Sequence, residues 1–264
     1  MKLIKGDCLS VMGGGIPDES VDMILCDLPY GTTKNKFDVC IDLEALWKEY
    51  KRIIKKRGCI ALFAQTPFDK VLGTSNLEML KYEWIWEKPM ATGMFNCKFA
   101  PMKAHENILI FSKSAACFVK DPSNAMVYNP QFSEGKPYVI KSGKASTNYD
   151  VNWNHSVVTD NKGTRYPRSV IKFSHDTSRI HPTQKPVALL EYLIKTYTNE
   201  NDVVLDNCFG SCSTGVACLH THRDFIGIEK NEEFFEKGKN WLLEEIKKQG
   251  LFSEEGMDDL EIEV

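Results

Sequence analysis

Asp27-Leu28-Pro29-Tyr30 is the stretch of this chain whose residue types and spacing point most directly to chemistry. A carboxylate and the backbone carbonyl of the next residue can together accept from the two N–H bonds of an exocyclic amino group. Such an amino nitrogen is a poor nucleophile while its lone pair is delocalised into an aromatic ring. Two acceptors would localise that lone pair and stabilise positive charge as the nitrogen attacks an electrophilic methyl group. Pro29 lacks a donor, has a fixed φ and restricts Leu28 to extended backbone, so a stiff turn aims the Leu28 carbonyl. Tyr30 offers a flat face on which an unstacked base can lie. The bland alternative is strand-to-turn punctuation, since D-x-P-Y arises by chance in roughly a few per cent of chains this long. Corroboration has to come from elsewhere in the sequence.

A second constellation supplies it. Asp206 closes the apolar run Val203-Val204-Leu205 and opens a loop of mostly small residues that includes Cys208, Phe209, Gly210 and Ser211. Glu229 closes the next apolar run, Phe225-Ile226-Gly227-Ile228. A strand ending in an acid, a small-residue loop opening a helix, and a second strand ending in an acid about twenty residues on make a nucleotide-binding βαβ unit. Glu229 is suited to accept from ribose hydroxyls, and the Phe209-Gly210-Ser211 loop lets a ligand approach the backbone. No G-x-G-x-x-G occurs and no Walker lysine follows the loop, which weighs against a dinucleotide or a triphosphate. An adenosyl group without phosphates remains.

The elements that must position these residues read as alternating strands and helices. Strands are expected at Lys2 to Lys5, at the run from Val21 that ends in Asp27, at 58–65, 82–87, 106–112, 202–206 and 224–229. Helices are expected at 42–56, from Pro67 with Phe68, Val71, Leu72 and Leu80 on the apolar side, at 187–197, after the Gly210 loop to about His222, and at 231–249. Pro186 suits the first turn of its helix. Such alternation means a mostly parallel sheet covered on both faces. Between about Lys113 and Ile180 the periodicity dissolves into Asn, Ser, Gly, Pro, Lys and Tyr, a length of irregular chain that is usually functional or disordered.

The bulk numbers bound the answer. The 264 residues, 42% hydrophobic, suffice for one large α/β core with a modest insertion. No apolar run is long enough to span a membrane and Met1 to Asp7 is no signal peptide, so a soluble, cytoplasmic protein is expected. The nine cysteines lie in apolar contexts without a C-x-x-C, the pattern of reduced thiols. Cys218-Leu219-His220-Thr221-His222 reads better as a helix end than as a metal site, so no metal is expected. The net charge of −3 conceals a division. Residues 98–185 hold thirteen Lys/Arg against six Asp/Glu, and 229–264 hold five against twelve. Aromatics interleave with the basic residues, among them Tyr128, Tyr138, Tyr149, Trp153, Arg165, Tyr166 and Arg168, as a phosphate-facing surface would have them.

Asp-Leu-Pro-Tyr resembles the D-P-P-Y signature of the DNA methyltransferases that modify adenine N6 or cytosine N4. Asp206 to Thr214 is similar to the family's first motif, D-P-F-x-G-S-G-T-T, and Phe-Ile-Gly-Ile-Glu-Lys-Asn to the strand that ends in its ribose-binding acid. His181 to Pro186 matches its H-P-T-x-K-P motif, which implies that Thr183 and Lys185 line the methionine end of S-adenosylmethionine. Gly6-Asp7-Cys8 looks like the segment that touches the cofactor's adenine, with Asp7 accepting from its amino group. The departures are Leu28 for proline, and Cys212 and Ser213 in the loop, Cys212 adding bulk beside the cofactor.

The order of these motifs, catalytic before cofactor-binding, is that of the beta class. It implies a Rossmann-like, circularly permuted α/β fold with a mostly parallel seven-stranded sheet. Its catalytic half would span 1–112, a target-recognition insertion 113–180, a cofactor-binding half 181–249 and a frayed acidic tail 250–264. The implied partner is double-stranded DNA, not a membrane, and the resemblance leaves a homodimer and a cognate restriction endonuclease open. An acidic first residue in the quartet is more usual for adenine N6 than for cytosine N4. Cytosine N4, an RNA substrate and a non-catalytic relic remain as alternatives.

Overall fold

The computed structural model describes residues 1–31, 39–117, 120–141, 158–176, 184–249 and 261–263. The chain begins with β1 (Lys2–Lys5), α1 (Cys8–Gly15), β2 (Val21–Cys26), α2 (Leu43–Ile53), β3 (Ile54–Ala64) and α3 (Phe68–Ser75). A long hairpin follows, β4 (Leu80–Thr92) and β5 (Lys103–Phe111). Short strands β6 (Ser133–Glu134), β7 (Tyr138–Lys141), β8 (Val158–Asn161), β9 (Thr164–Arg165) and β10 (Val170–Lys172) occupy the irregular stretch. Then come α4 (Val187–Tyr197), β11 (Val203–Asp206), α5 (Ser213–His220), β12 (Asp224–Glu229), α6 (Glu232–Lys248) and β13 (Glu261–Glu263).

Nine strands form one sheet in the order β10-β4-β5-β3-β2-β11-β12-β1-β13. Seven of them, from β4 to β1, make the body that the family resemblance implies, and the two additional strands are three-residue edges. All neighbouring pairs are parallel except those of β5, which runs antiparallel to β3 and β4. At the centre β2 and β11 lie side by side, and the chain winds away from them in opposite directions. That is a topological switch point, where open α/β sheets form a crevice beyond their carboxyl ends. Those ends are Cys26-Asp27 and Asp206-Asn207.

Side chains alternate across β2. Met23 and Leu25 join the core beneath α4, α5 and α6, while Ile24 and Cys26 join the core beneath α1, α2 and α3. Asp22 interrupts this apolar strand for a reason. Its Oδ2 accepts from Lys55 Nζ of β3 at 2.7 Å and from the Val203 amide of β11 at 3.0 Å, tying three adjacent strands together.

Several boundaries differ from the periodicity. The helix expected to run to residue 56 ends at Ile53, because Ile54 already pairs with Val21. A register shift follows before Met23 pairs with Cys59, and Gly58 sits in it. A Cβ there would lie 2.7 Å from the Asp22 carbonyl oxygen. Leu80 begins β4 instead of completing the apolar side of α3, and Val71 is 55% exposed. The last turn of α3 is closed by Thr74 and Ser75 hydroxyls donating to the Lys70 and Leu72 carbonyls. The expected fraying of the tail does not extend to Glu261–Glu263, which pairs parallel with β1 as an edge strand. The rest of the tail, 250–260 and 264, lies outside the described residues, as do Tyr149 and Trp153.

Residues 130–168 form a second compact unit. It holds two antiparallel pairs, β6 with β9 and β7 with β8. Phe132 packs against Tyr166 at 4.8 Å, and the Arg165 guanidinium lies 4.6 Å from the centre of the Tyr138 ring. The flanking residues belong to the main unit, where Met126 and Ile171 are buried.

Candidate active site

One cavity of about 980 Å³ opens at the switch point. Asp27, Leu28, Pro29 and Tyr30 line it, together with Asp7, Cys8, Asp206, Cys208, Phe209, Gly210, Ser211, Glu229 and Lys185. The two constellations singled out in the sequence, almost 180 residues apart, therefore share a single chamber. Thr183 lies outside the described residues.

The quartet is held from several sides. Asp27 Oδ1 accepts from the Tyr30 hydroxyl at 2.7 Å, and its Oδ2 is in direct contact with Lys185 Nζ. Tyr30 stacks on Phe68 with ring centres 5.1 Å apart and planes inclined by 25°. Burial, followed by the charge of Asp27, pushes the Tyr30 phenol well up, so the hydroxyl keeps its proton and donates. Leu28 is 3% exposed and packs in the core under α1, α2 and α3, so the family's commoner proline is replaced by a residue that adds apolar burial.

The loop after β11 is ordered by the two acids. Asp206 Oδ1 accepts from the Cys208 amide at 3.1 Å and Oδ2 from the Thr214 hydroxyl at 2.6 Å. Burial pushes its carboxyl up to about 6, although both hydrogen bonds oppose that. Glu229 Oε2 accepts from the Gly210 amide at 3.0 Å and Oε1 from the Asn231 amide at 2.7 Å. Gly210 has φ +50°, a left-handed conformation glycine adopts without a steric cost. Asp7 caps α1, accepting from the Ser10 amide at 3.3 Å, and meets Lys230 Nζ at 3.2 Å.

Two residues differ in emphasis from the sequence reading. Phe209 is 4% exposed and packs on Phe235 at 5.7 Å, so much of its ring serves the core beneath α6. Cys212, expected to add bulk beside the cofactor, points away from the cavity. It is fully buried at φ +64° against Gly215 and Gly238, two positions where a Cβ would come within 3.0 Å of it. Nearby, Cys8, Cys26 and Cys208 all line the cavity. Burial pushes the Cys26 thiol up to about 12, so it is no nucleophile.

Glu106, Gln65 and Phe63, which the sequence did not single out, also line the wall. Glu106 on β5 faces the quartet, with its Oε2 3.3 Å from Lys185 Nζ and its Oε1 accepting from Lys88 Nζ at 3.3 Å and Gln65 Nε2 at 3.1 Å. Burial alone would raise the Glu106 carboxyl, but the ammonium groups of Lys185 and Lys88 hold it below its ordinary range. Burial alone would likewise lower Lys185, and Asp27 and Glu106 hold it above. Phe63 lies under the Lys185 ammonium at 5.0 Å. Trp84, Trp86 and Trp47 are buried packing residues, and Trp86 also borders the cavity. Beyond Thr92, which borders it too, the tip of the β4–β5 hairpin exposes Met94, Phe95 and Phe99, the aromatics by 100% and 89%.

Cys218 is buried in the core and His220 Nδ1 pairs with Glu191 at 2.8 Å. Among the described residues no helix is long and apolar enough to cross a membrane.

Comparisons with known proteins identify the family. The family model described as DNA methylase, for the N6 and N4 enzymes, matches residues 21–240. The chain is 32% identical over 252 residues to the DNA adenine methyltransferase YhdJ of Escherichia coli, covering 89% of this chain and 80% of that protein. It is 30% identical over 241 residues to the type II methyltransferase M.HpaI of Haemophilus parainfluenzae, covering 86% and 69%. Among solved structures, M1.HpyAVI in complex with SAM superposes with a TM-score of 0.58 at 24% identity, over 91% of this chain and all of that one. TTHA0409 of Thermus thermophilus superposes with a TM-score of 0.64 at 18% identity, over 100% of this chain and 99% of that one, which speaks to the fold alone. With the quartet and the cofactor loop brought into one chamber, and with this match over most of its length, the chain belongs to the N6/N4 DNA methylase family.

Proposed function

We propose that the protein transfers the methyl group of S-adenosylmethionine to the exocyclic N6 of an adenine turned out of duplex DNA. The observation that carries this reading is the convergence of Asp27 and Glu229 on one chamber at the switch point. The residues present fit the cofactor. Asp7 and Glu229 offer carboxylates to amino and hydroxyl hydrogens, and Gly210 keeps the loop wall free of a side chain. When bound, S-adenosylmethionine supplies a methyl group on positively charged sulfur.

The chain's own residues do the rest. Asp27 and the Leu28 carbonyl accept from the two N6–H bonds, which localises the nitrogen lone pair and meets the positive charge that develops there. A base lying on Tyr30 would extend the existing stack on Phe68, which orients the amino group. After transfer the nitrogen carries a surplus proton, and Asp27 is the base that takes it. No cysteine forms a covalent bond, because nitrogen attacks directly. Adenine is favoured by the acidic first residue of the quartet and by the name of the relative YhdJ.

Target recognition belongs to residues 113–180, flanked by a catalytic half at 1–112 and a cofactor-binding half at 181–249, and the exposed Phe95, Lys98 and Phe99 lie at the β4–β5 tip, beyond the Thr92 that borders the chamber. A cognate restriction endonuclease is supported by the type II names of two relatives, and we include a homodimer as an assembly that sedimentation would test. Asp27→Asn tests the reading. It should bind S-adenosylmethionine as the wild type does and lose transfer to duplex DNA, whereas undiminished transfer would remove Asp27 from the chemistry.

A further inference from the structure

The catalytic carboxylate is engaged on both oxygens. Oδ1 receives the Tyr30 hydroxyl and Oδ2 the Lys185 ammonium, yet an incoming amino group needs one of those oxygens. Each carboxylate oxygen can accept more than one hydrogen bond, but an ammonium in direct contact with Oδ2 competes with the amino group for its charge. Transfer is favoured when Lys185 shifts toward another carboxylate, since an unpaired buried ammonium is costly. Its side chain is only 9% exposed and the Phe63 ring lies beneath it. Among the described residues one other carboxylate pairs with it. Glu106 Oε2 is 3.3 Å from Lys185 Nζ, is buried, and receives no well-formed hydrogen bond there, while Oε1 is taken by Lys88 and Gln65.

We infer that Glu106 is a positioning residue that accepts Lys185 from Asp27 when the target base arrives, freeing Asp27 Oδ2 for the amino group. The inference rests on the proposed role of Asp27 in methyl transfer. The four charges Asp27, Glu106, Lys88 and Lys185 sum to zero. The chamber must also receive a sulfonium and a nitrogen that becomes cationic. Without the Glu106 charge the quartet would be net positive and Lys185 would have Asp27 as its sole carboxylate, so the lysine would compete with the substrate amino group for it. Glu106 thus acts on the chemical step through Asp27, while its contact with Lys185 links it to the expected methionine end of the cofactor site.

Glu106→Gln tests this as a neutral substitution of nearly the same shape. Single-turnover methylation of duplex DNA at saturating S-adenosylmethionine should slow by about 10- to 100-fold, less than the roughly 100- to 1,000-fold cost of losing a directly aimed donor because Glu106 acts through Lys185. A Lys185→Met background gives the second reading: with no ammonium to accept, adding Glu106→Gln should cost little more, a non-additivity a purely structural role would lack. Wild-type rates for Glu106→Gln, or full additivity with Lys185→Met, overturn the inference. If Asp27→Asn remains active, it is the role of Asp27 that fails, and the two outcomes are distinguishable.

Discussion

Asp206 is buried at 4% exposure and its carboxyl is raised from 3.8 to about 6, so its ionisation should weigh on stability in a predictable direction. A carboxyl with a folded-state pKa above its unfolded value binds more protons folded than unfolded between those values. Stability then falls as pH rises through about 4 to 6. At about 1.36 kcal/mol for each pKa unit, the interval from 3.8 to about 6 corresponds to about 3 kcal/mol. Asp206→Asn removes the ionisation and keeps the local bonding, because the amide oxygen can still accept from Cys208 and the amide nitrogen can donate to the Thr214 oxygen. Urea unfolding of both proteins between pH 4 and pH 7 reads the effect as a difference between two curves, in which every other titrating group cancels. The variant should gain about 3 kcal/mol on the wild type across that window, nearly all of it below pH 6.5. Parallel curves would refute the reasoning, since they would mean that the Asp206 ionisation is compensated and carries no cost.

Glu229→Gln replaces one acceptor of a backbone N–H with a donor and weakens the ribose contact. The dissociation constant for S-adenosylmethionine should rise by about 10- to 100-fold by titration calorimetry, from a loss of about 1.5–3 kcal/mol. Tyr30→Phe removes the hydroxyl that holds Asp27 Oδ1 and keeps the stack on Phe68. The methylation rate should fall about tenfold while Tyr30→Ala falls further, and equal rates for the two would deny the stack any part. Gly58→Ala places a Cβ 2.7 Å from the Asp22 carbonyl and 2.8 Å from the Ile54 side chain. Thermal unfolding should show a loss of about 1–3 kcal/mol without any specific change in cofactor affinity.

Much of the site could be read from the chain because its residues sit at the carboxyl ends of parallel strands. There an apolar run that stops in an acid, as at Asp27, Asp206 and Glu229, is a local signal of a crevice. Glu106 gave no such signal. It lies on the antiparallel strand β5, whose amino end reaches the same crevice, so the acid precedes its apolar run instead of ending it. Strand direction is a property of the whole sheet and is invisible in a window of ten residues. The boundaries at Ile54 and Leu80 were obscured for a related reason. Helical spacing continues through Ile53 and Ile54, but pairing of Ile54 with Val21, which is distant in sequence, decides where the helix stops. The fate of Cys212 was likewise non-local, since the glycines at 215 and 238 that make room for its side chain lie on α5 and α6.

The most direct measurement is the identity of the modified nucleoside. Duplex DNA of mixed sequence, incubated with methyl-labelled S-adenosylmethionine and digested to nucleosides, should carry its label as N6-methyladenine, and Asp27→Asn should carry none. Label in N4-methylcytosine would contradict the adenine assignment, and label that persists in Asp27→Asn would contradict the account of the site itself.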